Sequence, residues 1–264
     1  MADLFANARA YEARMGRWSA RLAPLFVRFA QMTDGGRVLD VGCGTGALVR
    51  TVAAMTRQSA IVGIDLAQPF LEYARTQVVD PRITFDRGSA LDLPYPVGAF
   101  NYTLSLLVLM FIPHPEQAAR EMRRVTRPGG TVAACTWDRE GLEMTSVFWE
   151  AAIRLDPDAA TRAERPQHLD QAGQLAALWH ATGLQHVEEK ALEMGMEFTS
   201  FDDYWQPHLT GDGPSGVYVA GLLPEHRDAL RHALQERLQG NRPAGAFSLR
   251  AKAWAVRGIV PKAP

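Results

Sequence analysis

Apolar positions along the chain follow two rhythms, short solid runs and repeats at three to four residues, and they alternate in a regular order. Leu22, Leu25, Phe26 and Phe29 recur at helical spacing, which predicts a helix over Trp18–Met32. Val38, Leu39 and Val41 then form a solid run suited to a strand buried on both faces of a parallel sheet. Gly42, Gly44 and Gly46 follow at every second position, and Ala47, Leu48, Val49 and Arg50 open a second helical pattern. Further strands are predicted at Ala60–Asp65, Ile83–Phe85, from Phe100 towards a loop at Phe111, and at Thr131–Trp137. Helices fall between them at Pro69–Val78 and Pro115–Val125. Beyond strand five the pattern gives helices at Gly141–Leu155 and Leu169–Ala181, separated by a Pro-, Asp- and Arg-rich loop, Asp156–Gln167. Strand six follows at His186–Met196, then an insertion, Phe198–Gly240, with a polar helix at Pro224–Leu238, then an alternating last strand, Phe247–Val256. Strands alternating with helices imply an α/β fold around a parallel sheet.

The stretch Val38–Gly46 carries the first chemical signal. A strand, a tight glycine turn and a helix leave bare backbone for a ligand and free N–H groups at the helix start. Two ligand classes fit. Gly42-x-Gly44-x-x-Ala47 satisfies the dinucleotide fingerprint with its permitted final alanine. The tighter Gly-x-Gly-x-Gly, with Asp40 at the strand end, resembles motif I of the class I S-adenosylmethionine-dependent methyltransferases. Asp40 favours the second class, because a carboxylate repels a pyrophosphate but attracts an ammonium and a sulfonium. Asp65 ends the second strand 19 residues past Gly46, a spacing that suits a carboxylate accepting both ribose hydroxyls.

Arg127-Pro128-Gly129-Gly130 ahead of strand five completes the set of motifs. Together they make the chain similar to the small-molecule branch of that family, often described as type 11. The likeness is specific over roughly Gly35–Trp137, and looser over Leu169–Met196 and the last strand. It implies a Rossmann-like seven-stranded, mostly parallel sheet with helices on both faces and helical insertions after strands five and six. It implies a single methyltransferase domain over 1–264, with an N-terminal flap and helix (1–34), a cofactor-binding core (35–137) and substrate-side insertions (139–168 and 198–244). It also implies S-adenosyl-L-methionine as cofactor, S-adenosyl-L-homocysteine as product, and in-line displacement onto a small-molecule acceptor.

The cofactor contacts that the likeness implies are Asp40, Gly42, Cys43, Gly44 and Gly46 in the turn, then Asp65 and Leu66. Ser89, Ala90 and Leu91 would line the adenine; Ser89 stands where the family usually has Asp. Ser105 and Leu106 at the end of strand four would face the methionine part, and Arg17 would lie on a flap with Tyr11. Asn101 departs from the family's Phe-Asp, and strand four lacks the Asn/Asp-Pro-Pro-Tyr of enzymes that methylate amino groups of adenine or glutamine. Catalytic candidates are His114 and Tyr11, with His168 and His208 as further possible bases from loops. Trp149, Phe198, Tyr204, Trp205 and Tyr218 in the insertions suggest an aromatic pocket or an aromatic core. Arg120, Arg123, Arg124 and Arg127 read as a solvated helix end.

Composition narrows the alternatives. A net charge of −1 and the lack of a basic tract argue against a nucleic-acid substrate. Cys43 and Cys135 fall in elements expected to be buried, consistent with a reducing compartment. The start Met1-Ala2-Asp3-Leu4 has no signal-peptide pattern, and the apolar run Leu104–Pro113 is too short to span a bilayer, so a cytoplasmic monomer or homodimer without membrane contact is expected. Metal spacing is missing, and Trp137-Asp138 is not the acidic pair of metal-dependent catechol enzymes, so metal-independent transfer is expected. The alternatives are an NAD-dependent oxidoreductase on the same turn, or a protein that binds S-adenosylmethionine without turnover.

Overall fold

The computed structural model describes residues 7–163, 168–211, 213–240 and 245–262. The N-terminal tetrapeptide, the end of the expected 156–167 loop and the end of the 198–244 insertion therefore lie outside the described residues. A short helix α1 (Ala8–Tyr11) passes through a π-turn at Glu12–Gly16 into α2 (Arg17–Phe29). Strand β1 (Arg37–Val41), helix α3 (Ala47–Met55), β2 (Ala60–Asp65), α4 (Gln68–Thr76) and β3 (Ile83–Arg87) follow. Then come β4 (Phe100–Leu106), α5 (Pro115–Val125) and β5 (Thr126–Leu142). Helices α6 (Glu143–Leu155), α7 (Ala159–Ala163) and α8 (Gln174–Ala181) lead to β6 (Gln185–Phe198). Helices α9 (Phe201–Trp205), α10 (Gly213–Ala220) and α11 (Pro224–Gln239) precede β7 (Phe247–Ile259).

The seven strands lie in the order β3-β2-β1-β4-β5-β7-β6. The first five are parallel, and β7 runs antiparallel between β5 and β6. This is the seven-stranded α/β sheet expected from the sequence. Side-chain alternation on β1 explains why both faces are covered. Val38 joins Leu22, Phe26 and Leu48 in one core, while Leu39 and Val41 join Val62, Met122 and Trp179 in the other. The insertion helices α6, α9, α10 and α11 all contribute to the first core, so the insertions cover one face of the sheet. Chain order reverses at β1, which pairs with β2 on one side and β4 on the other. Ligands of open α/β sheets bind outside the strand ends at such a switch point.

Local differences have local causes. β5 starts at Thr126, not Thr131, because the Arg-Pro-Gly-Gly turn is a bulge inside it: Phe100 faces Thr126, but Tyr102 already faces Thr131. Gly129 there has φ +74°, and the bulge is tied down by Gly129 N–H donating to Val260 O (2.8 Å) and Val260 N–H to Gly130 O (2.9 Å). β5 also runs on to Leu142, which delays α6 by two residues. The loop expected at 156–167 contains helix α7. Asn101 has a structural role: its side-chain oxygen accepts Arg37 N–H at 2.9 Å at the foot of β1.

The arginines of α5 do not form a solvated face alone. Arg123 donates to Thr182 O (2.8 Å). Arg124 donates to Glu121 (2.7 Å), Tyr95 O (2.8 Å) and Leu93 O (2.8 Å), and Glu121 accepts Leu93 N–H at 2.8 Å. The pair clasps the loop after β3, the loop that carries Ser89, Ala90 and Leu91. Hydrogen bonding to Arg124 holds the Glu121 carboxyl below its usual range. A depressed carboxyl stabilises the fold above the ordinary glutamate range, and that contribution is lost as pH falls through the folded value. Arg124→Met should therefore cost about 1–3 kcal/mol at neutral pH, a drop in Tm of roughly 2–4 °C per kcal/mol. The deficit should shrink in acid. A thermal melt series over pH checks this; a Tm equal to the wild type at neutral pH would show that the clasp carries no load.

Candidate active site

The turn after β1 is built by backbone hydrogen bonds to β2. Gly42 N–H and Cys43 N–H both donate to Ile64 O, at 2.8 and 3.0 Å. Gly44 N–H donates to Asp65 Oδ2 at 2.8 Å, and Asp65 Oδ1 accepts Ala67 N–H at 2.8 Å. The turn needs glycine for two reasons. Gly42 has φ +73°, and a Cβ there would collide with Val108. Gly44 has φ +52°, and a Cβ there would find only Phe70, at 3.7 Å, so its backbone lies open. Gly46, at φ +87°, starts α3.

A cavity of about 610 Å³ opens above this turn. Asp40, Gly42, Cys43 and Gly44 line it from β1 and the turn, and Asp65 with Leu66 line it from the end of β2. Ser89, Ala90 and Leu91 line it from the loop after β3, and Leu106 from the end of β4. Tyr11 closes it from the N-terminal segment, its ring 5.3 Å from Phe70 and its hydroxyl 3.2 Å from Ser19 Oγ. Sequence reasoning thus brought most of its cofactor candidates to one place.

Three of them lie elsewhere. Gly46 does not line the cavity; it faces Ala74 of α4 at 3.4 Å and works as the helix start. Ser105 is fully buried and donates to Val41 O at 2.9 Å, stitching β4 to β1. Arg17 is bonded to Asp203 at 2.7 Å and stacks on Trp18 and Phe198, so it anchors the N-terminal helix to the second insertion. Among the catalytic candidates, His114 lies outside the cavity with its side chain 65% exposed, 3.7 Å from Glu116. His168 is exposed as well. Tyr11 is in place, but burial raises its phenol pKa, so its hydroxyl stays protonated at neutral pH.

Asp40 is the unusual group. It is 2% exposed, and neither carboxylate oxygen has a hydrogen-bond partner among the described residues. Burial, and then the neighbouring charge of Asp65, push its carboxyl well above the ordinary carboxylate range, against a weaker pull from the backbone N–H of Val49, which is too poorly placed to make a hydrogen bond. Burial likewise raises Asp65, against the pull of its backbone N–H donors. Cys43 is buried beside them with its thiol pushed up, so it is an inert wall. A buried, unpartnered acid beside an open backbone turn is a socket for a cation that donates hydrogen bonds.

The wall behind Leu106 was not among the sequence-predicted site residues. Leu107 has φ +62°, a left-handed conformation that is strained for leucine, and its N–H donates to Cys135 O at 2.7 Å. With Tyr11 and Phe111 it lines both the main cavity and a second one of about 160 Å³. The apolar run that continues past the strand end through Val108–Phe111 was the available signal. The second cavity also includes Trp137, Phe148, Trp149 and His208. Of the insertion aromatics, Trp149 reaches a cavity, whereas Phe198, Tyr204, Trp205 and Tyr218 are packed in the core.

Comparisons with known proteins agree with this geometry. Residues 39–134 match the type 11 methyltransferase family, described as a methyltransferase domain. An uncharacterized protein of Mycobacterium tuberculosis is 32% identical over 124 residues, 46% of this chain and 44% of that protein. The 27-O-demethylrifamycin SV methyltransferase of Amycolatopsis mediterranei is 30% identical over 132 residues, 45% of this chain and 48% of that enzyme. The chain thus spans less than half the length of these curated relatives. The phosphoethanolamine N-methyltransferase 2 of Haemonchus contortus, solved in complex with S-adenosyl-L-methionine, superposes with a TM-score of 0.59 at 19% identity, over 97% of this chain and 57% of that one. That likeness is one of fold. Residues 39–134 thus match a methyltransferase-domain family, and the seven-stranded sheet around them has the α/β order described above.

The burial of Asp40 carries a pH signature. A carboxyl whose folded pKa is raised costs stability as pH climbs from the unfolded carboxylate range through the folded value. Asp40→Asn should therefore raise the Tm of the ligand-free protein at neutral pH, by roughly 2–4 °C per kcal/mol regained, and the gain should vanish in acid. Melts of both proteins across pH test this. A lower Tm for the variant at neutral pH would mean that Asp40 has a partner.

Proposed function

We propose that the chain transfers a methyl group from S-adenosyl-L-methionine to a small-molecule acceptor, leaving S-adenosyl-L-homocysteine. The observation that carries this is Asp40, a buried carboxylate with two unpartnered oxygens on the wall of the main cavity. The donor set fits such a cofactor. Asp40 would receive its ammonium, the open backbone at Gly44 would lie against it, and the remaining lone pairs of Asp65 would accept ribose hydroxyls. Ser89 Oγ already accepts Leu91 N–H at 3.1 Å, so adenine would meet this loop mainly through backbone and apolar groups of Ala90 and Leu91. Bound there, the cofactor supplies a methyl already activated by its sulfonium. The chain's own task is alignment: Leu106 and Leu107 at the end of β4 fix one wall, and Tyr11 and Phe111 limit entry of water.

The names of the relatives support the same function, one of them for a demethylated oxygen of rifamycin. A dinucleotide fits less well, because its pyrophosphate would lie against the Gly44 turn beside two acids, Asp40 and Asp65. The assignment of a metal-independent reaction is supported by Asp138, whose Oδ2 is engaged by Trp254 Nε1 at 2.5 Å and by Lys252 Nζ at 3.3 Å. Its Oδ1 accepts Glu140 N–H at 3.2 Å, so both carboxylate oxygens are already engaged within the protein.

The deciding experiment is calorimetry and thermal melts with S-adenosyl-L-methionine, S-adenosyl-L-homocysteine and NAD. The first two should raise Tm, by about 2.7 kcal/mol of added stability at a hundred times Kd, and NAD should not. A shift with NAD alone would refute the function. Asp65→Ala should weaken S-adenosyl-L-homocysteine binding by about 1.5–3 kcal/mol, roughly ten- to hundredfold, with the fold intact. Once an acceptor is in hand, turnover should survive exhaustive EDTA dialysis. Activity abolished by EDTA and restored by magnesium would require a metal in the mechanism.

A further inference from the structure

The second cavity has features that cofactor binding does not use. Its volume, about 160 Å³, is that of a dry apolar cavity of about 150 Å³ that accommodates one benzene ring. Trp137, Phe148 and Trp149 give it flat walls, and Met110 and Met144 give it adaptable ones. It meets the main cavity at Tyr11, Leu107 and Phe111. Its polar corner is His208 with Ser215, Nδ1 to Oγ at 2.8 Å. His208 is 4% exposed and stacked on Phe148, with ring centroids 4.6 Å apart. Burial, helped by the charge of Arg14, holds the imidazole down to about 3, so it is neutral at any working pH. The other charges at this cavity are engaged nearby: Asp138 by Lys252 and Trp254, and Arg139 by Asp170 at 2.8 Å.

We propose that this cavity is the acceptor chamber, that it takes a molecule presenting one planar ring with a hydroxyl group, and that His208 Nε2 accepts the hydrogen bond and then the proton of that hydroxyl, with Ser215 as its positioning residue. The assignment rests on the methyl-transfer function proposed above. Size selects one ring, and the aromatic walls select a flat one. The engaged state of Asp138 disfavours a protonated amine, which would look for a carboxylate. A neutral imidazole has one donor and one acceptor nitrogen. In the tautomer this role requires, Nδ1–H donates to Ser215 Oγ and Nε2 is left as acceptor. A weak base suffices, because an oxygen that is gaining a methyl becomes strongly acidic. In the exchange, the hydroxyl oxygen bonds to the methyl carbon. The carbon–sulfur bond breaks with its pair passing to sulfur, which becomes a neutral thioether. The hydroxyl proton passes to Nε2 and reaches solvent as product leaves.

The test is a titration of the full chain, loaded with S-adenosyl-L-homocysteine, with 4-nitrophenol, followed by calorimetry and by the absorbance of the phenol, with toluene as a size control. The wild type should bind one equivalent of 4-nitrophenol in its un-ionised form. His208→Gln should lose about tenfold or more in affinity, Ser215→Ala a smaller, several-fold factor, and Ser215→Ala should bind toluene as the wild type does. S-adenosyl-L-homocysteine affinity should be the same in all three. If His208→Gln does not fold, Ser215→Ala decides alone. No binding of 4-nitrophenol, binding as the phenolate, or equal affinity in all folded variants overturns the chamber assignment while leaving the methyl-transfer function standing. Failure of the wild type to bind S-adenosyl-L-homocysteine overturns that function instead, and the chamber with it.

Discussion

A carboxylate kept dry and without a partner is expensive, and the fold is arranged so that Asp40 is both. It sits on β1, the strand at which chain order reverses, with strands hydrogen-bonded on either side. Burial on this scale disfavours the charged form unless a cation restores it. The neighbouring hydrogen-bond donors are spent elsewhere. Ser105 spends its hydroxyl on Val41 O, and the glycine turn bonds back to Ile64 O and Asp65. The site therefore stores an unsatisfied electrostatic demand in the folded state, a common trade of stability for binding.

The carboxyl ends of the central strands bring two cavities together. Strand β4 ends at Leu106, and the next residue turns left-handed at Leu107, held by Cys135 O. This strained residue stands between a cavity with two acids and a cavity with aromatic walls. Tyr11 and Phe111 complete the partition. Helix α2 fixes the N-terminal segment through Arg17 and Asp203, so the element that carries Tyr11 is bolted to the insertion that carries His208.

The parallel half of the sheet was legible because its signals are local: solid apolar runs, a glycine turn and acids at strand ends. Asp40 and Asp65 could be placed for that reason. Long-range partners set what was not legible. Arg17 reads as a mobile basic residue until Asp203, far along the chain, is seen to hold it. Ser105 looks available at a strand end until β1 presents Val41 O. Arg124 has the pattern of a solvated helix end, yet it clasps the carbonyls of Leu93 and Tyr95. His114 and His208 are indistinguishable as letters. Packing leaves one exposed and buries the other between Phe148 and Tyr204.

Linkage between a bound cation and the Asp40 proton can be measured directly. Calorimetric titration of S-adenosyl-L-homocysteine in pairs of buffers with different ionisation enthalpies gives the number of protons exchanged on binding. A carboxyl that holds its proton in the free protein and gives it up to the buffer when an ammonium binds beside it should release protons between the ordinary carboxylate range and its raised folded value, and Asp40→Asn should abolish that release. Binding with no proton release in the wild type at any pH, or with equal release in Asp40→Asn, would contradict the central role given to this residue.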